Sequence, residues 1–210
     1  VGRRLRIDVY RLTLRHDLTD DIVQETILEM LKVLGKLKKA DRFWPWLYSI
    51  ALNKLRSHHR KQKRGKTSPI HAADVQDNSG SDAMSDLVTR ELKQVVISAM
   101  GKLKPEHRAV LTMRCYREME YSLIAEAMGC SEFAAKMLFY RAKKALQRQL
   151  SHQGFGRGSL LMALVVFGKM TAPSEAAAGQ VSVTAAATKV GLGAGLFGAI
   201  TSKTALVSLA

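Results

Sequence analysis

The sequence predicts an all-α protein: two small helical modules, a flexible linker and an apolar C-terminal tail. Apolar residues recur at three- and four-residue steps, and strand-like alternation is scarce. Helix-breaking and polar residues crowd into residues 65–86. Positive charge is concentrated before Ser159, in a chain of 210 residues with a formal net charge of +15. A balance this basic indicates a polyanionic partner: nucleic acid first, an anionic membrane surface second.

Residues 1–64 form the first predicted module, which contains three helices. We expect the first helix from Leu5 to about His16, and the second after an N-cap at Thr19 or Asp20. The second helix has an apolar face that comprises Val23, Ile27, Met30, Leu34 and Leu37. Its mainly polar face comprises Asp21, Gln24, Glu25, Leu28 and Lys32. Such a two-faced pattern is typical of a helix packed on a core.

The third helix, which we expect to begin near Asp41, carries the most informative pattern in the chain. Its apolar side comprises Phe43, Trp46, Leu47, Ile50, Ala51 and Leu55. Residues 42–66 contain no acidic residue, and one polar stripe comprises Asn53, Arg56, Ser57, Arg60 and Arg64, with Lys54, Lys61 and Lys63 beside it. A stripe of a single sign opposite an aromatic core face fits a helix laid along phosphates, and the alternative is an ordinary solvated face.

Residues 87–152 form the second predicted module, after a linker at residues 65–86. A helix is expected from Leu87 to Met100, and Pro105 opens the next one. We expect Ser122 to cap a short helix, Gly129 to supply a turn and Ser131 to cap a long helix. The long helix carries the basic residues Lys136, Arg141, Lys143, Lys144 and Arg148. This order predicts a helix-turn-helix, a motif that many three-helix domains share without binding DNA.

The sequence gives no support to an enzyme. It contains no nucleophile–base pair, no paired carboxylates and no metal-ligand spacing, so we expect no cofactor and no metal. We interpret Cys115 and Cys130 as reduced thiols of a cytoplasmic protein. Because the chain begins at Val1 and ends abruptly at Ala210, we expect that it belongs to a longer protein.

Four motifs together resemble the extracytoplasmic-function (ECF) group of RNA polymerase sigma factors. Residues 21–26, DIVQET, resemble the clamp-binding motif of that family. Residues 43–53, FWPWLYSIALN, resemble its DNA-melting motif. Residues 103–111 and 121–131 resemble its fourth region, which Tyr140-Arg-Ala-Lys143 closes. The motifs follow one another in the family's order.

The resemblance implies a sigma factor that directs core RNA polymerase to specific promoters and assists their opening. Polymerase binding would fall to Asp21, Gln24, Glu25 and Leu28. Contacts to minus-10 DNA would fall to Trp44, Tyr48, Asn53, Arg56, Ser57, Arg60, Lys61 and Arg64. Contacts to minus-35 DNA would fall to Ser131, Glu132, Lys136, Tyr140, Arg141, Lys143 and Lys144.

Some of these implied roles have a definite chemistry. The amide of Asn53 would recognise a flipped base, because an amide offers both a donor and an acceptor. Trp44 and Tyr48 would stack on unpaired bases, whereas Trp46 is expected in the core. The recognition helix departs from the family between Phe133 and Leu138, where only Lys136 remains as a polar contact. We therefore expect minus-35 recognition to be weaker, shifted, or based on shape and phosphates.

The tail, residues 153–210, lies beyond the resemblance. Three interpretations stay open: a membrane-associating helix pair in residues 154–210, a docking segment that restrains the sigma modules, and a disordered tail. The expected partners are therefore core polymerase, promoter DNA and either an anti-sigma factor or the tail itself as inhibitor. Two rival functions also stay open, namely a conventional helix-turn-helix regulator and a membrane-associated basic adaptor.

The linker also predicts how the free modules are arranged. Two DNA sites about seventeen base pairs apart are separated by roughly 55–60 Å. A coil of about twenty residues spans only roughly 25 Å on average. We therefore expect the two modules to lie close together until polymerase holds them apart.

Overall fold

The computed structural model describes residues 1–37, 39–64, 83–156 and 158–172. Within these ranges all regular secondary structure is helical, which confirms the predicted fold class. The first module consists of α1 (Gly2–Thr13), α2 (His16–Val33) and α3 (Phe43–Arg64). The predicted linker falls mainly on residues 65–82, which lie outside the described residues.

The boundary between α1 and α2 lies earlier than the sequence predicts. Leu14 has φ 57°, a left-handed conformation that ends α1. The expectation of an N-cap at Thr19 or Asp20 is wrong, because both residues lie inside α2. The buried Thr19 hydroxyl donates instead to the Arg15 carbonyl at 2.6 Å. A hydroxyl that bonds to the preceding turn can sit in a helix interior without leaving a polar atom unpaired.

The buried side of α2 is also rotated from the predicted one. Leu18 and Ile22 are fully buried, whereas Val23 and Ile27 are only partly buried against the core. Leu34 is exposed, because α2 ends at the preceding residue and the chain continues as a 3-10 turn. The core therefore uses the first half of α2 more than the second.

The second module contains five helices among the described residues. They are α4 (Ala83–Gly101), α5 (Pro105–Leu111), α6 (Tyr121–Met128), α7 (Glu132–Ser151) and α8 (Ser159–Met170), with a π-helical turn at Thr112–Tyr116. α4 begins four residues before the predicted start. α8 lies in the predicted C-terminal tail, for which a membrane-associating helix pair, a docking segment and a disordered tail were the three interpretations.

The helix-turn-helix forms around α6 and α7. Gly129 has φ 67° and supplies the left-handed turn, and Ser131 Oγ accepts a hydrogen bond from the Ala134 amide at 3.2 Å, so both expectations are confirmed. The expectation for Ser122 is wrong. The cap is Glu120, whose carbonyl already accepts from the Ile124 amide at 3.0 Å, so Ser122 lies in the first turn.

The two modules pack against each other, as the linker argument predicts, through α1 against α5 and α3 against α6. Arg108 of α5 is buried at this junction and donates to the Leu12 carbonyl at 2.6 Å and the Leu103 carbonyl at 2.8 Å. It also donates to the carbonyls of Met100 and Gly101. Burial lowers the pKa of Arg108 to about 10. Carbonyls at the ends of α1 and α4 stabilise the charge, because helix C-termini carry partial negative charge.

α8 packs on α4 and α7 and extends the core of the second module. Leu164 and Phe167 are fully buried, and the Tyr116 hydroxyl donates to the Leu164 carbonyl at 2.8 Å. Beyond the helix, Thr171 Oγ1 accepts from Arg11 Nε of α1 at 2.7 Å. Among the described helices, none combines the length and apolarity needed to cross a membrane. Residues 173–210 lie outside the described range.

Candidate polymerase and promoter-DNA interface

The four residues expected to bind polymerase form one exposed stripe along α2. Gln24 and Glu25 lie three and four residues after Asp21, and Leu28 lies three and four residues after them, so all four share one side of α2; Leu28 is 51% exposed. Leu31 continues the stripe and is also exposed. An exposed row of carboxylates beside leucines combines charge with apolar area, which suits a protein partner.

A basic residue of α3 contacts the acidic side chains next to this stripe. Lys54 Nζ lies 4.0 Å from Glu25 and 3.4 Å from Glu29, so a basic residue of α3 faces the acidic side of α2. The pairs are partly exposed, and their contribution to stability is therefore small.

The polar stripe of α3 is present as predicted. Asn53, Arg60 and Lys61 are exposed, and Arg56 and Ser57 are half-buried. The side chain of Arg64 lies outside the described residues. Asn53 also borders a surface pocket whose other lining residues are Arg56, His59, Arg60 and Glu106. Among these residues only Glu106 carries a negative charge, and it comes from the second module.

The expectation that Tyr48 is available for base stacking is wrong for this arrangement. Tyr48 is 5% exposed, and its hydroxyl donates to Asp8 of α1. Burial, followed by the charge of Asp8, raises the pKa of the Tyr48 phenol. Trp44 lies beside Tyr48, with ring centroids 6.0 Å apart, and Arg4 stacks on its ring at 3.8 Å. Both rings therefore belong to the packing between α1 and α3.

Trp46, rather than Tyr48, lies on the same side of α3 as Asn53. Trp46 and Asn53 are separated by seven positions, which is about two helical turns. Trp44 is separated from Asn53 by nine positions, about two and a half turns, and therefore lies on the opposite side of α3. Trp46 is half-buried and contacts Phe43 at a centroid distance of 6.1 Å. The apolar pattern predicts Trp46 in the core alone, although its spacing of seven residues from Asn53 also indicates this side of α3.

The polar stripe of α3 faces α6 of the helix-turn-helix. Arg56 Nη2 donates to the carbonyl of Met128, the last residue of α6, at 3.2 Å. Arg42, just before α3, forms an ion pair with Glu126 of α6 at 2.6 Å. Part of the surface expected to contact minus-10 DNA is therefore occupied by the second module.

The predicted minus-35 surface lies at the start of α7. Five of its expected residues are exposed besides the cap Ser131, namely Glu132, Lys136, Tyr140, Arg141 and Lys144. Lys143 is half-buried, with its ammonium 5.4 Å from the Phe139 ring. Lys136 pairs with Glu132 at 2.7 Å, one turn earlier. The described residues contain no cluster of side chains that could hold a metal ion.

Comparison with known proteins accounts for both modules. Residues 2–65 match the family Sigma-70 region 2, and residues 93–146 match Sigma-70, region 4. The RNA polymerase sigma-H factor of Pseudomonas aeruginosa is 26% identical over 138 residues, which cover 62% of this chain and 72% of that protein. The ECF RNA polymerase sigma-E factor of Escherichia coli is 24% identical with the same coverage.

A solved structure has the same fold. The complex of the sigma factor RpoE with the anti-sigma factor NepR from Bartonella quintana contains a chain with 22% identity and a TM-score of 0.59. The match covers 71% of this chain and 91% of that chain.

A basic helical stripe and a helix-turn-helix on the same chain are the features of a DNA-binding protein that acts in transcription. The matches to both regions, in order, identify it further: the chain belongs to the ECF group of sigma-70 factors. It directs RNA polymerase to specific promoters at initiation. The matches give no support to a conventional regulator or to a membrane-associated adaptor.

Proposed function

We propose that this arrangement is a closed form of the sigma factor, in which the two modules cover part of each other's DNA-binding surface. The observation that carries the proposal is the hydrogen bond from Arg56 to the Met128 carbonyl at 3.2 Å. A guanidinium held against α6 cannot also lie along a phosphate of minus-10 DNA. Promoter binding therefore requires α3 and α6 to separate.

The proposed order of binding follows from which surfaces are exposed. The α2 stripe of Asp21, Gln24, Glu25 and Leu28 is exposed in the closed form, so core polymerase can bind there first. Separation of the modules then frees the α3 residues that we assign to minus-10 DNA, which are Asn53, Arg56, Ser57, Arg60, Lys61 and Arg64. The α7 surface that begins at Ser131 contacts minus-35 DNA.

We also propose that closure is reinforced by an inhibitor, either a separate anti-sigma factor or the chain's own C-terminal extension. The solved relative, RpoE, was determined with an anti-sigma factor bound. In this chain the hydrogen bond from Arg11 to Thr171 joins the residues after α8 to α1. That bond supports inhibition by the chain itself. Because the protein acts on core polymerase, we assign it to the cytoplasm.

The experiment compares promoter footprints of the full chain with and without core polymerase. We expect weak protection by the free chain and strong, selective protection by the holoenzyme. Glu126→Lys places a positive charge beside Arg42 and should strengthen promoter binding by the free chain about two- to fivefold, the range expected for one exposed ion pair. The matched control is the charge-swapped double variant with Arg42→Glu, which should restore weak binding.

Two outcomes would contradict the closed form. The first is equally tight and selective protection by the free wild-type chain and by the holoenzyme. The second is that Glu126→Lys leaves binding by the free chain unchanged while the folded structure is retained.

A further inference from the structure

An exposed apolar stripe lies on the helix that the helix-turn-helix presents to DNA. Phe133, Met137 and Tyr140 of α7 are 72%, 37% and 52% exposed. Their spacing of four and three residues places them on one side of the helix. Single exposed apolar side chains that are scattered over a surface are common. A contiguous row of them indicates a binding surface.

The position of this apolar stripe within α7 limits what it can bind. It begins at the second residue of the helix, and in a helix-turn-helix the first residues of the second helix reach the base edges. The same side continues with Lys144 and Arg148, both exposed. An apolar start followed by basic residues fits a helix whose start enters the major groove while its later turns contact phosphates.

The major groove offers one apolar group on its base edges, the 5-methyl group of thymine. The distance along the helix from Phe133 to Tyr140 is about 10 Å, or about three base pairs. The one charged side chain between Phe133 and Tyr140, Lys136, is paired with Glu132 at 2.7 Å. Apolar contact is therefore the main recognition chemistry that the start of α7 offers.

We propose that Phe133, Met137 and Tyr140 recognise thymine methyl groups in the minus-35 element. This inference rests on the proposed role of α7 in minus-35 binding and names what that surface selects. The promoters of this factor then carry thymines at adjacent positions of the minus-35 element, on one or both strands. Arg141, Lys144 and Arg148 supply affinity without sequence preference.

The test removes the methyl groups without changing base pairing. A duplex library, randomised over the minus-35 region, is made in two matched forms, one with thymine and one with deoxyuridine. The holoenzyme formed from the full chain selects from each library, and the affinities of the selected duplexes are compared. We expect recovered thymine duplexes to lose about fourfold in affinity for each contacted thymine that is replaced by deoxyuridine.

Substitutions in α7 test whether the preference for thymine depends on the apolar stripe. Phe133→Ala should bind both libraries but lose the preference for thymine, and Phe133→Leu should retain part of it because an apolar contact remains. The matched control is Met162→Ala, which removes an exposed methionine of α8. It should keep the full preference.

The results separate this inference from the function on which it rests. If the holoenzyme binds neither library selectively, the minus-35 assignment of α7 fails. If it selects sequences but binds thymine and deoxyuridine forms equally, the methyl inference is overturned. A loss of anti-sigma binding by Phe133→Ala, with the thymine preference intact, also overturns it and assigns the stripe to a protein partner.

Discussion

Arg117 of the second module reaches across to Asp8 of α1, so that its Nε lies 2.9 Å from each carboxylate oxygen. Asp8 is buried and also accepts from Tyr48, and Arg11 lies 3.6 Å away. Burial alone would lower the pKa of Arg117, but the charge and hydrogen bonds of Asp8 outweigh burial and raise it. One carboxylate therefore joins α1, α3 and the second module.

Asp8→Ala should destabilise the closed arrangement strongly. It leaves Arg117 and Arg11 without their buried counter-charge, a change that typically costs about 3–5 kcal/mol. The measurement is the free energy of unfolding in urea. The control, Asp20→Ala, removes an exposed ion pair with Arg6 and should cost at most about 1 kcal/mol. Equal effects of the two substitutions would contradict the structural role of Asp8.

Phe167→Ala should show that α8 is part of the second module. Phe167 is fully buried, so truncation leaves a cavity and should lower the free energy of unfolding by about 3–5 kcal/mol. Met162→Ala, at an exposed position on the same helix, should change it by less than about 0.5 kcal/mol. A small effect of Phe167→Ala would mean that α8 is not stably docked.

Charge reversal at Asp21 and Glu25 should weaken binding to core polymerase without unfolding the module. Both side chains are exposed on the α2 stripe, so their replacement by lysine removes attraction for polymerase and the weak Glu25–Lys54 ion pair but no buried packing. Binding is measured by titration of labelled chain with core enzyme. Glu91→Lys on α4 is the matched control and should bind normally. Normal affinity in a folded double variant would remove the assignment of this stripe to polymerase.

Asn53→Ala and Arg60→Ala should affect promoter binding in different ways. Loss of the amide should blur the preference at one minus-10 position and cost about 1–3 kcal/mol there. Loss of the guanidinium should weaken binding to all sequences and reduce the salt dependence by about one phosphate contact. Holoenzyme binding to a panel of minus-10 variants at several salt concentrations measures both effects. If Asn53→Ala weakens every promoter equally, the amide does not recognise a base.

Acidification should destabilise the protein in part through His107. Burial, followed by the charge of Lys104, lowers the pKa of His107 below its ordinary value of 6.5. As the pH falls through 6.5, the unfolded chain gains a proton that the folded protein resists, so stability falls until the folded histidine is also protonated. The urea midpoint of wild type should drop as the pH falls through and below about 6.5. In His107→Gln the drop should be smaller, and an unchanged drop would contradict this role.

Local patterns predicted the helices and their exposed stripes well, because periodicity depends on neighbours along the chain. The same patterns failed where a residue distant in the sequence determines whether a side chain is buried. Trp44 and Tyr48 share a side of α3 because they are four residues apart, but only the fold brings Asp8 against the Tyr48 hydroxyl. The Arg108 guanidinium, which joins four backbone carbonyls, had no signal in the sequence beyond its charge.

Some predictions of helix boundaries were wrong because a residue type is compatible with two local structures. Thr19 precedes an apolar run as an N-cap does, yet its hydroxyl bonds backward within α2. The apolar segment at residues 160–167 is too continuous to show a helical face. Its role became clear only from the helices α4 and α7 on which it packs.

In the proposed closed form, the hydrogen bond between Arg56 and the Met128 carbonyl would make the fraction of open molecules a determinant of promoter affinity. If closure is favoured by about 3 kcal/mol, roughly one molecule in a hundred is open, and the apparent affinity falls about a hundredfold. This factor applies equally to every promoter, because it precedes any contact with a base. Substitutions between α3 and α6 should therefore raise or lower the expression of all target genes together, without changing their rank.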